Sequence, residues 1–189
     1  MANLHAIPNL KKIERLLSWA SSIEQPHFAI GKQARAIEAL RDYVESIPLQ
    51  RVLEIGSGKV PSPMSEVFAS RGIEFIGYDI FPIADILGDM HDLPFPDKSF
   101  DLVVSRHSLE HSLIPYLAFQ EMARVGEYVL AVLPSDSPRC HKSPGHLYVM
   151  TRMGWESLFT KLGAKVIRSG EGDLDEGNGQ MEWVWLLKT

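Results

Sequence analysis

The chain has 189 residues, of which 45% are hydrophobic, and carries a formal net charge of −5 at pH 7. This size suits one globular domain with a substantial core, and the acidic balance gives no global attraction to nucleic acid. The single cysteine, Cys140, excludes an intramolecular disulfide and disfavours a cysteine-rich zinc site. No apolar run approaches the ~20 residues of a membrane span, and no secretory signal is visible, so we expect a cytoplasmic protein without a membrane association.

Two helices are predicted in the first quarter of the chain. Apolar residues recur at helical spacing over residues 10–20 and again over residues 30–47, and Pro48 ends the second pattern. We expect residues 1–47 to form a helical cover and residues 50–189 to form an α/β core, with both parts in a single domain.

Strands and helices alternate after Pro48. Short apolar runs predict strands at residues 51–55, 73–80, 84–89, 99–105, 127–134, 164–169 and 181–189. Helices are predicted between Pro63 and Gly72, between Leu113 and Gly126, and between Thr151 and Gly163, while residues 135–146 are expected to form a polar loop. The alternation indicates a mostly parallel sheet. Because no helix separates the last two strands, the final strand is expected to run antiparallel to its neighbours.

A glycine-rich stretch, VLEIGSGKVPSP, follows the first strand at residues 52–63. A nucleotide phosphate loop is excluded, because Leu53 stands where its first glycine belongs and Val60 stands where a hydroxyl must bind magnesium. The dinucleotide fingerprint fits better, since Gly56 and Gly58 match its first two glycines, although Pro61 replaces the third. An NAD(P)-dependent oxidoreductase is therefore one alternative at this point.

An acidic residue, Glu54, lies inside the apolar strand just before this glycine turn. Burying a carboxylate is costly unless a cation or a hydrogen-bond donor meets it. A ligand with a positive end at the carboxyl edge of the strand would meet that need. S-adenosylmethionine is such a ligand, because its methionine part carries an amino group.

Four motifs together resemble a known family. They are VLEIGSG, GYD, GDMHDLPFPDKSFDLVVS and the LEH that follows. In these motifs the chain is similar to class I S-adenosylmethionine-dependent methyltransferases, and most similar to the branch that methylates small molecules. The resemblance covers roughly residues 50–189. It implies a Rossmann-like, doubly wound sheet with an antiparallel last strand, and S-adenosylmethionine as the cofactor.

The resemblance also implies which residues hold the methionine part of the cofactor. Glu54, Gly56 and Gly58 should border it, with Ser57 between the two glycines. Glycines at these positions allow the backbone to pass close to the ligand. Ser105, at the end of the fourth strand, should face the cofactor near its reactive methyl group.

The nucleoside part is assigned to the ends of the next two strands by the same resemblance. Asp79 should accept hydrogen bonds from both ribose hydroxyls, and Ile80 should pack on the adenine ring. Asp89 should accept from the exocyclic amine, while Met90 supplies a backbone contact and apolar cover. Val60 departs from the family, which often has a third glycine there. A cofactor-binding module without catalysis is therefore a further alternative.

Histidines offer the candidates for proton transfer. His107 and His111 follow the fourth strand and are weak candidates for a general base, which is needed only if the methyl acceptor begins protonated. Together with Cys140, His141 and His146 they have the residue types that suit zinc. Their spacing matches no metal-binding motif, so no metal is expected.

The methyl acceptor is expected to be a small molecule, because 189 residues leave little room for a nucleic-acid recognition domain. Aromatic and basic residues on the predicted cover and in the loop after the fifth strand are candidates to meet an anionic or planar acceptor. They are His27, Phe28, Arg139, His141 and Lys142.

Overall fold

The computed structural model describes residues 42–58, 62–80, 84–143, 145–172 and 181–189. The first predicted helix and most of the second therefore lie outside the described residues, as do His27 and Phe28. Residues 42–44 are helical, and the amide of Ile47 donates to the carbonyl of Val44 over 3.1 Å just before Pro48. Within the described residues, no helix has the length and apolar character that crossing a bilayer requires.

Seven strands form one mixed sheet within the described part of the chain. They are β1 (Arg51–Ile55), β2 (Glu74–Asp79), β3 (Ile86–Leu87), β4 (Phe100–Arg106), β5 (Gly126–Pro134), β6 (Lys165–Gly172) and β7 (Glu182–Lys188). Their order is β3-β2-β1-β4-β5-β7-β6. Strands β1 to β5 pair in parallel, whereas β7 runs antiparallel to both β5 and β6. The predicted fold class and the reversed last strand are thus confirmed.

In the described residues, four α-helices and one 3-10 turn lie between these strands. The helices are α1 (Pro63–Ala69), α2 (Pro115–Val125), α3 (Pro138–Lys142) and α4 (Arg152–Lys161), and the 3-10 turn is Leu109–His111. The sequence predicted only a polar loop where α3 lies, and this was wrong. Ser137 caps α3 by accepting the amide of Cys140, and Pro138 at the first helical position presets the backbone angle of a helix.

Helices cover both faces of the sheet, because side chains alternate along each buried strand. On β1, Leu53 and Ile55 join a core with Phe119 of α2 and Phe159 of α4. Val52 points the other way, into a second core that contains residues of α1 and of the segment before β1.

Strands β1 and β4 mark the point where the direction of winding reverses. The chain adds β2 and β3 on one side of β1, then returns to place β4 and β5 on the other side. The carboxyl ends of β1, β2 and β4 meet at one edge, where Ile55 pairs with both Tyr78 and Ser105. Open α/β sheets bind ligands in the crevice at such a switch point.

Candidate functional site

A tight glycine turn leaves β1 at this switch point. Gly56 has φ of 76° and Gly58 has φ of 64°, a left-handed conformation that favours glycine. The amide of Gly56 donates to the carbonyl of Tyr78 over 2.8 Å, which ties the turn to the end of β2. The predicted glycines therefore have a backbone reason to be glycine.

Ser108 packs directly against this turn. A Cβ added to Gly56 would lie 1.9 Å from Oγ and 2.7 Å from Cβ of Ser108. The Ser108 hydroxyl donates to the backbone carbonyl of Ile55 over 3.1 Å. The sequence did not identify Ser108, because a small polar residue after a strand carries no signal of a contact with a turn so distant along the chain.

Glu54 is buried, with 2% of its surface exposed. Burial raises its pKa to about 7, against the lowering effects of a hydrogen bond with Ser62 and the charge of Arg106. Its Oε2 atom has no hydrogen-bond partner. A buried carboxylate in this state gains from a cationic group, which matches the role predicted for it.

Ser57 and Ser105 are also buried, and the hydroxyl of each has no hydrogen-bond partner. Ser57 lies in the glycine turn with its Oγ close to Gly77, and Ser105 pairs with Ile55. Strand β4 extends one residue beyond the predicted end, to Arg106. Both serines are thus at the carboxyl edge, where polar groups of a ligand could satisfy them.

Asp79 is the last residue of β2 and is almost fully buried. Its Oδ2 accepts the amide of Gly58 over 2.7 Å, so the acid that should meet the ribose also fixes the glycine turn. A carboxylate has about four lone-pair sites, enough to bind this amide and a ligand together. Ile80, half-buried, follows immediately after the strand.

Asp89 belongs to a hydrogen-bonded chain that the sequence did not predict. Its Oδ1 accepts a hydrogen bond from the backbone amide of His91 over 3.0 Å. The same oxygen is hydrogen-bonded to Nδ1 of the His91 ring over 2.5 Å. The ring continues through Nε2 to Oγ of Ser112 over 2.7 Å. Met90, between the two, is half-buried and packs on the core. This series of hydrogen bonds holds the Asp89 carboxylate in one orientation.

His107 lies between two acidic side chains. Its Nδ1 is 3.4 Å from Oε1 of Glu110, and its Nε2 is hydrogen-bonded to Oε1 of Glu182. Burial lowers the pKa of His107, but these two carboxylates outweigh burial and raise it to about 10. Because both ring nitrogens face carboxylates, the geometry favours an ion-paired role, and proton abstraction by His107 stays a prediction.

His111 is more accessible, with 34% of its side chain exposed. Its Nδ1 is bonded to the backbone carbonyl of Gly145 over 2.6 Å. It belongs to the 3-10 turn, whereas His107 precedes that turn, so the two rings do not share a helical face. Its role as a base also stays a prediction. Arg139, His141 and Lys142 are exposed on α3, after β5.

Comparisons with known proteins find methyltransferases similar to this chain in sequence and in fold. Residues 53–127 match the family model described as a methyltransferase domain. A demethylmenaquinone methyltransferase of Renibacterium salmoninarum is 33% identical over 109 residues, which are 51% of this chain and 45% of that protein. The matched region thus spans less than half the length of that relative.

Solved structures share the fold at low identity. A 1,6-didemethyltoxoflavin N1-methyltransferase of Burkholderia thailandensis, with 1,6-didemethyltoxoflavin and S-adenosylhomocysteine bound, has a TM-score of 0.73 at 13% identity over 100% of this chain and 92% of its own. A S-adenosylmethionine-dependent methyltransferase from Aquifex aeolicus has a TM-score of 0.63 at 15% identity over 95% and 98% of the two chains. The resemblance of the motifs to class I S-adenosylmethionine-dependent methyltransferases is thus confirmed, and the matching methyltransferase-domain model covers residues 53–127.

Proposed function

We propose that this protein transfers a methyl group from S-adenosylmethionine to a small-molecule acceptor. The observation that carries the proposal is Glu54, a buried acid two residues before Gly56, with an oxygen that has no hydrogen-bond partner. A cationic amino group is the chemistry that such a carboxylate stabilises most strongly. The methyltransferase match of residues 53–127 supports the same assignment.

The proposed cofactor contacts are those that the resemblance implied. Glu54, Ser57 and the two glycines hold the methionine part, and Ser105 lies near the methyl group. Asp79 and Ile80 hold the ribose and adenine, with Asp89 and Met90 at the far end. When bound, S-adenosylmethionine supplies a methyl group that its sulfonium already activates.

The protein's own contribution is then to align the acceptor and to exclude water. Residues 1–47 are proposed to cover the site, and the basic residues of α3 are proposed to meet an anionic acceptor. If the affinity of an acceptor were unchanged by Arg139→Ala, that part of the proposal would fail. The cytoplasmic location expected from the sequence stays a prediction.

Calorimetric titration of the full chain tests the cofactor assignment. Separate titrations with S-adenosylmethionine, S-adenosylhomocysteine and NAD⁺ are expected to show binding of the first two only. Binding of NAD⁺ without either of the others would overturn the proposal and restore the oxidoreductase alternative.

Asp79→Ala is expected to weaken binding of S-adenosylhomocysteine by roughly 1–3 kcal/mol, because a charge-assisted hydrogen bond is lost. Asp97→Ala is the matched control. Asp97 lies before β4, its side chain is 77% exposed, and its ion pair with Arg124 is at the surface. We expect that control to leave the affinity unchanged. Equal affinity in the wild type and in Asp79→Ala would remove Asp79 from the site.

A further inference from the structure

A second group of buried polar atoms lies just beyond the glycine turn. Among the described residues, the buried side-chain oxygens and nitrogens without a hydrogen-bond partner lie either at the proposed cofactor site (Glu54, Ser57 and Ser105) or in this group. The group consists of Nδ1 of His146 and both carboxylate oxygens of Glu110, of which Oε1 has Nδ1 of His107 at ion-pair distance, 3.4 Å. One atom of each of Glu110, His111 and His146 that could bind a metal lies within 4.8 Å of the other two. We call these three residues the 110–146 cluster.

Backbone hydrogen bonds bring the two parts of the cluster together. Glu110 and His111 are consecutive in the 3-10 turn, and His146 comes from the segment after α3. The carbonyl of Glu110 accepts the amides of both Leu147, over 2.8 Å, and Tyr148, over 3.0 Å. These bonds fix the segment that carries His146 against the turn that carries Glu110.

The other contacts of both imidazoles leave one nitrogen of each directed to the cluster. Nδ1 of His111 donates a hydrogen bond to the carbonyl of Gly145 over 2.6 Å, which leaves Nε2 for a further contact. Nε2 lies 3.9 Å from Oε1 of Glu110. The ring of His146 is bonded to the backbone of Cys140, and its Nδ1 is the nitrogen without a partner.

The cluster therefore brings three possible metal-ligating groups together. One nitrogen of each imidazole lies near a carboxylate that is 1% exposed, and imidazole nitrogens and carboxylate oxygens are the groups that coordinate zinc. Nδ1 of His107 also lies 3.4 Å from Oε1 of Glu110. A cation placed among the three residues would be coordinated by one nitrogen of each imidazole and by the carboxylate.

We propose that Glu110, His111 and His146 bind a divalent transition-metal ion of the zinc type. Two imidazoles and one carboxylate are a three-ligand set that leaves a fourth, open position. Tetrahedral ligands at zinc distances of about 2.1 Å lie roughly 3.4 Å apart. The 3.9 Å between Nε2 of His111 and Oε1 of Glu110 is close to that separation. Backbone carbonyls that orient both rings are the outer-shell partners that such sites use.

The spacing of histidines along the chain gave no sign of this cluster, because its third member, His146, comes from a distant segment and a carboxylate replaces the expected cysteine. The 110–146 cluster adjoins the proposed cofactor site, because Glu110 is two residues after Ser108 and Ser108 packs on Gly56. The open position would accept water or an oxygen atom of the methyl acceptor. Only this last role rests on the proposed function; metal binding does not.

Zinc titration of the full, chelator-treated chain tests the proposal. We expect one Zn²⁺ to bind per chain, and Co²⁺ to give visible absorption with the same stoichiometry. His111→Ala and His146→Ala are each expected to weaken Zn²⁺ binding by about 100-fold or more, because loss of even an outer-shell partner costs 10–100-fold. The matched control is His141→Ala, a histidine exposed on α3, and it should bind Zn²⁺ like the wild type.

Two results would overturn the metal site. One is wild-type affinity no greater than that of the double variant His111→Ala/His146→Ala, and the other is an equal loss in His141→Ala. Zn²⁺ should also raise the melting temperature of the wild type and of His141→Ala but not that of the two ligand variants. Titration of the same variants with S-adenosylhomocysteine separates the outcomes, because cofactor binding is expected to persist without the metal.

Discussion

Glu54→Gln is expected to stabilise the unliganded protein above pH 7 and to weaken binding of S-adenosylmethionine strongly. Burial raises the pKa of Glu54 from 4.5 to about 7. The folded protein therefore holds this proton more tightly than the unfolded chain does, and ionisation of Glu54 destabilises the fold as pH rises from 4.5 to 7. At about 1.36 kcal/mol for each pKa unit, the full cost above pH 7 is of the order of 3 kcal/mol.

Urea unfolding at pH 5 and at pH 8 measures this cost. The free energy of unfolding of Glu54→Gln should exceed that of the wild type by up to about 3 kcal/mol at pH 8. The difference should be much smaller at pH 5, where Glu54 is protonated in the folded state. Glu45→Gln, an exposed acid in the segment before β1, is the control and should change neither value. A variant less stable than the wild type at pH 8 would show that ionised Glu54 already has a stabilising partner.

Cofactor affinity should rise with pH, whereas the contribution of Glu54 to stability falls. An ammonium group binds the ionised carboxylate, so wild-type affinity for S-adenosylmethionine is expected to rise with pH up to about 7, the pKa of Glu54, and then to level off. In Glu54→Gln this rise should disappear and affinity should be low throughout. Affinity that falls over this range would contradict an ion pair at Glu54.

Gly56→Ala is expected to destabilise the protein by about 2–5 kcal/mol, since two separate costs add at this position. A left-handed backbone costs a non-glycine residue about 1–2 kcal/mol, and overpacking costs about 1–3 kcal/mol more. The overpacking follows from the 1.9 Å between the added Cβ and Oγ of Ser108. Rotation of the hydroxyl cannot relieve it, because Cβ of Ser108 is also only 2.7 Å away.

Gly58→Ala separates the two costs. Gly58 has a similar positive φ, but a Cβ added there meets nothing within 4 Å, so only the backbone cost of about 1–2 kcal/mol is expected. Ser108→Gly should rescue Gly56→Ala in part, because it removes the clash and leaves the backbone strain. Thermal and urea unfolding measure all three variants. Equal losses in Gly56→Ala and Gly58→Ala would mean that the contact with Ser108 carries no cost.

The sequence predicted the sheet well because local signals agree with the tertiary structure there. Apolar runs such as VLEI and DLVV form strands buried on both faces, and proline, serine and glycine mark the helix ends. Residues 135–146 are the exception. Ser137 and Pro138 are a helix start, but the stretch that follows has no apolar periodicity, so α3 was predicted as loop.

The sequence by itself determined the α/β class, the acids at the strand ends and the glycines of the turn, because those features depend on neighbouring residues and on the points where strands end. Only the tertiary structure decided that Ser108 packs on Gly56, that His91 orients Asp89, and that His146 joins Glu110 and His111. Each of these contacts joins side chains whose separation along the chain has no fixed period. The packing of the strands and of their connecting segments sets that distance, so spacing alone could not reveal it.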